Sequence, residues 1–342
     1  MPARMRTALE RISLGNAPEP APACTMLAYA AQQPDKEAFM PDIQLRFHRD
    51  TLVLSSDLVH SPAESNAAPQ LATQLEDALL LDSESIEQRF RLEKSAGAAC
   101  LCVPCTGLSS RYLSVSAARE DHAQRLAKQL FALIARLSPT HVVAEITPLE
   151  IPFDASSGAS LREQRDAYAF IARALKNIPL DMVLLSRFPS FELVKCALVG
   201  IKKVLDVPCA VSISAHKYAG SPGNSALIQS LCDLELSVFG WHVPYNDDKL
   251  ISLFQETRRA CKVPLLCELS LASCNHVNDN RTSSLAILSD MLVKQVEQVY
   301  ALGVQFFRVT ESPRAALTAA LTASIQGLDV RNTNSNDTVK SE

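Results

Sequence analysis

No run of this 342-residue chain approaches 18 consecutive apolar residues, so a membrane span is not expected. There is no excess of basic charge either: the formal net charge is −4, which removes the electrostatic case for a nucleic-acid partner. No glycine-rich phosphate loop is present. GASLREQ carries one glycine and has no strand directly before it, so it is not a dinucleotide fingerprint. The ten cysteines form no short-period framework. Cys100, Cys196, Cys209, Cys261 and Cys267 sit in or beside apolar segments, as buried free thiols do, which implies a reducing compartment and a cytoplasmic location. The first 23 residues are basic and then rich in Pro and Ala, with no apolar signal core. A flexible tail is the preferred reading, and an organelle-targeting peptide is the alternative.

What is present is globular in composition, 47% hydrophobic and 20% charged, enough for one large α/β domain or two small ones. Residues 1–40 show no firm element beyond a short helix around Thr7–Ile12 and read as an N-terminal extension, flexible or partly helical. IQLRF and TLVLSS flank a polar turn at His48-Arg49-Asp50 and read as a hairpin or two short strands. The first is taken as a plug or edge strand, the second as barrel strand one. Residues 59–82 make a long polar loop with a helical turn near Gln70–Leu80.

A regular rhythm follows. Apolar strands are expected at 99–103, 140–147, 181–186, 209–214, 233–240, 263–270 and 304–309. Between them lie segments with helical spacing. In 116–137 the stripe Ala123, Leu126, Leu130, Ile134 and Leu137 recurs every three or four residues. Mostly apolar strands indicate a sheet covered by helices on its outer face. Eight such strands, each followed by a helix, fit a (β/α)8 barrel over 41–328, with a disordered tail at 329–342. A doubly wound open sheet is the alternative architecture.

The stretch ALGVQFFRVTESPRAALTAA (301–320) is the junction on which the reading turns. A strand, VQFFRV, passes through a polar turn into a helix that Ser312 would cap and Pro313 would open. In such barrels the chemistry sits at the C-terminal ends of the strands.

Several blocks together resemble the homocysteine S-methyltransferase family, whose members include the homocysteine-binding barrel of cobalamin-dependent methionine synthase and betaine–homocysteine methyltransferase. They are SIEQRFRLEKSAGAACLCVPCTGLSSRYL, LREQRDAYAFIARAL, DMVLLSRFPSFELVKCAL and VQFFRVTESPRAAL. The likeness runs from about Thr51 to Gly327. It implies a barrel fold, a thiol-methylating activity linked to methionine biosynthesis, and a zinc ion held by three cysteine thiolates. The metal would keep a substrate thiol, ordinarily of pKa about 8.5, as the attacking thiolate. The match breaks where that chemistry lies. With Pro313 aligned to the family's proline, the adjacent cysteines become Arg308 and Val309, and the preceding glycines become Phe306 and Phe307. The third cysteine falls at or next to His242. The family's amino-group-binding glutamate falls on Ser186, followed by Arg187. A corrinoid protein partner is implied by the resemblance alone.

The expectation is therefore a degenerate active site with no cofactor, binding a small anionic ligand, an amino acid or other carboxylate, or a protein partner. Its catalytic-type residues would be Glu145, Arg187, His242 and Arg308, with Asp57, Trp241, Glu268 and Glu311 as ligand contacts. His216 joins the polar residues expected at the mouth. Two inward arginines could clamp a carboxylate or phosphate, and Glu145 or Glu268 could serve as a base. An active S-methyltransferase with a relocated zinc site at Cys102, Cys105, His242 and Cys274 is one alternative. Another is a different barrel enzyme acting on a small acid. A Schiff-base aldolase is disfavoured because no lysine clearly ends a strand, Lys217 being the nearest.

Overall fold

The computed structural model describes residues 42–57, 83–110, 119–221, 223–244, 249–270, 282–310 and 315–339. The extension 1–40, the 59–82 loop, Tyr245, Cys274, His276, Glu311 and the Ser312–Pro313 turn lie outside them.

Eight parallel strands form one sheet: β1 Leu52–Val53, β2 Cys100–Pro104, β3 His141–Ile146, β4 Met182–Phe188, β5 Cys209–Ser214, β6 Val238–Pro244, β7 Leu265–Ser270 and β8 Val304–Thr310. Their order is β1-β8-β7-β6-β5-β4-β3-β2, each strand pairing with those beside it in this order. A parallel bridge between Leu54 and Cys100 joins the two ends, so the sheet closes as a (β/α)8 barrel. An open sheet is thereby set aside.

Among the described residues the α-helices are α1 Ile43–Arg46, α2 Ser83–Ser95, α3 Arg119–Ala135, α4 Gly158–Leu175, α5 Phe191–Lys202, α6 Asn224–Cys232, α7 Leu250–Ala260, α8 Thr282–Tyr300 and α9 Ala315–Val339. Ser157 and Ser190 cap α4 and α5 by accepting from backbone N–H groups. The α3 stripe is buried as its spacing requires. Gly97 ends the turn after α2 at φ 95°, a left-handed geometry that glycine adopts without strain.

Strand alternation divides the core into two layers. One set of side chains faces the helices, including Val103, Val211, Phe239, Trp241 and Phe307. The other set faces the lumen, where Leu52, Cys102, Met182, Leu184, Leu266 and Phe306 pack together. Phe306 and Phe307 thus fill opposite sides of β8.

Two expectations are corrected. IQLR is a single helical turn capped by Asp42, not a strand, although Ile43 does plug the lumen. Strand β6 begins at Val238 rather than Asp233, because α6 extends to Cys232 and turns out through Glu235 at φ 57°. The last helix, α9, buries the stripe Leu317, Leu321 and Ile325.

Candidate functional site: an ionic network in the barrel mouth

Along each strand the lumen-facing positions change from apolar to polar toward the C-terminal end. Met182 and Leu184 give way to Ser186, Ala210 to Ser212, Leu266 to Glu268, Phe306 to Arg308, and Val143 to Glu145. Register places Glu268 beside both Arg308 and His242.

Arg308 is fully buried and stands at the centre. Its Nε donates to the Ser55 carbonyl at 2.9 Å. Nη1 donates to Glu145 Oε1 at 2.6 Å and Glu268 Oε1 at 3.0 Å. Nη2 donates to Glu145 Oε2 at 2.7 Å and Asp57 Oδ1 at 3.1 Å. All five N–H groups of the guanidinium are therefore engaged by the protein. The expected clamp of two arginines on a ligand loses one jaw.

Arg187 differs. The β4–β5 register shifts between Leu185 and Phe188, and Arg187 sits in that bulge at φ 62°. Strict alternation would turn it away from the lumen once Ser186 faces in. The bulge instead brings both residues to the mouth. The Arg187 N–H donates to Ser212 Oγ at 2.9 Å, which holds the left-handed conformation. Its guanidinium reaches Asp57 at 2.7 Å and Glu145 at 3.6 Å while keeping 20% of the side chain exposed.

The carboxylates diverge in character. Burial pushes Glu145 up, but the Arg308 charge and hydrogen bonds outweigh it and hold the group at about 2. A carboxylate held so low is a weak base at neutral pH, which counters the expected role of Glu145 as general base. Glu268 is displaced upward by burial, only partly offset by Arg308 and Ser212. Ser186 and Ser212 donate to it, Ser212 through a short contact. His242 faces the mouth half-buried, its Nε2 3.1 Å from Thr310 Oγ1.

Asp57, Glu145, Arg187, Glu268 and Arg308 thus meet in one place, with His242 beside them. Trp241 does not join them. The later start of β6 puts it in mid-strand facing the helices, where it is fully buried, donates to Thr257 at 2.8 Å and packs on Phe191 and Phe239. His216 and Lys217 lie exposed in a short 3-10 turn. Ser186 and Ser212 are polar neighbours of Glu268; the sequence reading named Ser186 only as a departure from the family and did not select Ser212. The signal was available, since each occupies the lumen parity of its strand.

The described residues of this mouth do not fit a zinc ion. The positions that the resemblance gives to adjacent thiolates hold a guanidinium and an outward-facing Val309. Among the described residues no group of three His, Cys, Asp or Glu side chains is arranged to hold a metal. Cys102 faces the lumen and Cys105 the helix layer, so the two do not converge. Burial pushes the Cys102 thiol up to about 12, against the thiolate that a metal requires. Cys274 lies outside the described residues.

No family model matches the chain. No curated protein matches it in sequence either. Solved structures do. The metallated form of the homocysteine methyltransferase MmuM from Escherichia coli superposes with a TM-score of 0.62 at 13% identity, covering 81% of this chain and 96% of that one. The oxidised form gives 0.61 at 14% identity over the same shares. Dihydrodipicolinate synthase from Oceanobacillus iheyensis gives 0.45 at 13% identity, covering 85% and 76%. At these identities the likeness is one of fold: the chain is a TIM barrel.

Proposed function

We propose that this chain is a diverged homocysteine S-methyltransferase-like barrel that works without zinc and binds a small carboxylate of amino-acid type at its mouth. The observation that carries the reading is Arg187, a guanidinium held by a bulge above a closed ionic network and still open to solvent. A planar guanidinium receives a carboxylate in a two-bonded fork. Arg187 and Arg308 together face three carboxylates, Asp57, Glu145 and Glu268. Arg308 serves as the internal counter-ion, and metal-assisted thiol methylation is not part of the proposed role. The free cysteines of the described residues suit a reducing, cytoplasmic setting.

The test is calorimetric titration with glycine, homocysteine, succinate and inorganic phosphate, on the wild type and on Arg187→Ala and Arg187→Lys. The expected result is binding of an amino acid or carboxylate, weakened tenfold or more in R187A and partly restored in R187K. Absence of binding by every compound, or equal binding by R187A, would overturn it. Zinc measured on protein purified under reducing conditions should stay below ~0.1 equivalent, since no closed thiolate set is in place. Stoichiometric zinc with homocysteine binding would instead support a relocated zinc site, whose activity a methyl-transfer assay would then decide.

A further inference from the structure

One buried carboxylate lies outside the ionic network of the mouth. Glu93, in α2, is enclosed between the end of β1 and the first turns of α9. Its Oε2 accepts from the Ser56 backbone N–H at 3.0 Å and from Thr318 Oγ1 at 2.8 Å. Its Oε1 accepts from Ser56 Oγ at 2.5 Å. All of these donors are neutral groups. Burying a carboxylate is costly unless hydrogen bonds offset the lost hydration, so this one draws its donors close. What it holds is the segment that carries Asp57. The Leu54 N–H donates to the Phe307 carbonyl and the Ser55 N–H to the Cys100 carbonyl, but the Ser56 N–H goes to Glu93 rather than to a strand. The hold coincides with a reversal of parity. Leu52 and Leu54 face the lumen and Val53 the helices, so strict alternation would turn Ser56 inward and Asp57 outward. The opposite is found: Ser56 points out to Glu93, and Asp57 points in to Arg187 and Arg308.

We infer that Glu93 is a positioning residue for the mouth: by drawing Ser56 out toward α2 and α9 it turns Asp57 into the lumen beside Arg187 and Arg308. Glu93 itself touches neither arginine. It acts through Asp57, which gives Arg187 its partner at 2.7 Å and Arg308 one of its carboxylates at 3.1 Å. The same turn brings the Ser55 carbonyl to Arg308 Nε at 2.9 Å. The Asp57 contact orients the Arg187 guanidinium and leaves its remaining N–H groups for a ligand. The effect of Glu93 on ligand binding rests on the reading of Arg187 as the ligand-binding guanidinium; its effect on the Arg187–Asp57 pair does not.

The test uses the full-length protein with nitrogen-15 in its arginines. The guanidinium N–H signals of Arg187, assigned by their loss in Arg187→Lys, are recorded without ligand, and glycine and succinate are titrated in parallel. Glu93→Ala is expected to move the Arg187 signals to where Asp57→Asn puts them and to weaken binding about tenfold. Glu93→Gln keeps an acceptor for the Ser56 N–H and should restore both readouts. Ser56→Ala leaves the backbone bond in place and should fall between, about threefold weaker, and it decides the question if Glu93→Ala does not fold. Thr318→Val removes a bond to the same carboxylate from the α9 side. A role limited to stability predicts that it behaves as Ser56→Ala does; the expected result is wild-type Arg187 signals. Signals unchanged in Glu93→Ala and Ser56→Ala, or moved equally by Thr318→Val, would overturn the inference. Wild-type protein that binds neither compound would count against the ligand reading alone, and the Arg187 signals would still decide the role of Glu93.

Discussion

Arg308 and Glu145 grip each other across the barrel lumen through two bonds of 2.6 and 2.7 Å, joining β8 and β3, strands that do not pair in the sheet. The bond is a strut rather than a ladder contact. It holds together the end of the barrel where the side chains are polar and the apolar lumen has run out. With Asp57 and Glu268 also on Arg308, one side chain ties together four segments.

Removing that side chain leaves three buried carboxylates without their shared cation. Breaking a buried pair from one side costs about 3–5 kcal/mol. Arg308→Met is therefore expected to lower the urea-unfolding free energy by about that amount. The double variant Arg308→Met/Glu145→Gln should recover part of the loss, so a double-mutant cycle would return a favourable coupling. An Arg308→Met protein as stable as wild type would show that the network carries no net stability.

The two glutamates should give stability opposite dependences on pH. Glu145 sits at about 2 in the fold, below its ordinary 4.5. Its contribution is thus fully present above about 4.5 and is lost as pH falls toward 2, amounting to about 3 kcal/mol. Glu268 is displaced upward, so its contribution is present below 4.5 and is lost as pH rises through its folded value. Urea unfolding from pH 3 to 8 should show Glu145→Gln flattening the acid limb. Over the same range Glu268→Gln should improve steadily relative to wild type as pH rises. A Glu268→Gln difference that is constant with pH would refute the upward displacement.

The barrel was legible because period-two apolar strands alternate with period-three-to-four stripes, and neither signal depends on distant partners. The α3 stripe and the bounds of β5 came out as read. The misplaced start of β6 had a local cause: DLEL alternates charged and apolar residues as a half-buried strand does, but it follows the end of α6, with Asp233 at the cap, and turns through a left-handed Glu235. That shift moved Trp241 from a loop to an outward strand position. The ionic residues of the mouth could be named from strand ends. That Arg308 saturates itself and Arg187 does not could not be read, since it depends on a bulge in β4 and on partners over 100 residues away.

The bulge also sets up a test of backbone strain. Arg187 is a non-glycine residue at φ 62°, a region that costs an L-residue roughly 1–2 kcal/mol. Arg187→Ala and Arg187→Gly lose the same guanidinium, but only glycine is at ease there. The Gly variant is expected to be more stable than the Ala variant by about 1 kcal/mol in urea unfolding, both lacking ligand binding. Equal stabilities would mean that the left-handed bulge is not held.

The lumen packing can be probed where β6 and β7 meet at Gly240. Gly240 lies opposite Leu266 in register. A Cβ there would stand 2.4 Å from the Leu266 carbonyl oxygen and 2.6 Å from its Cβ. These atoms belong to a paired strand and cannot swing aside without opening the ladder. Gly240→Ala is expected to cost about 2–3 kcal/mol through overpacking. Gly220→Ala is the control. Its φ is 81° and nothing lies within 4 Å of an added Cβ, so it carries only the left-handed penalty, about 1 kcal/mol. Urea midpoints measured side by side separate steric crowding from backbone strain. If Gly240→Ala is no more costly than Gly220→Ala, the close β6–β7 approach, and with it the lumen geometry that sets His242 beside Glu268, is wrong.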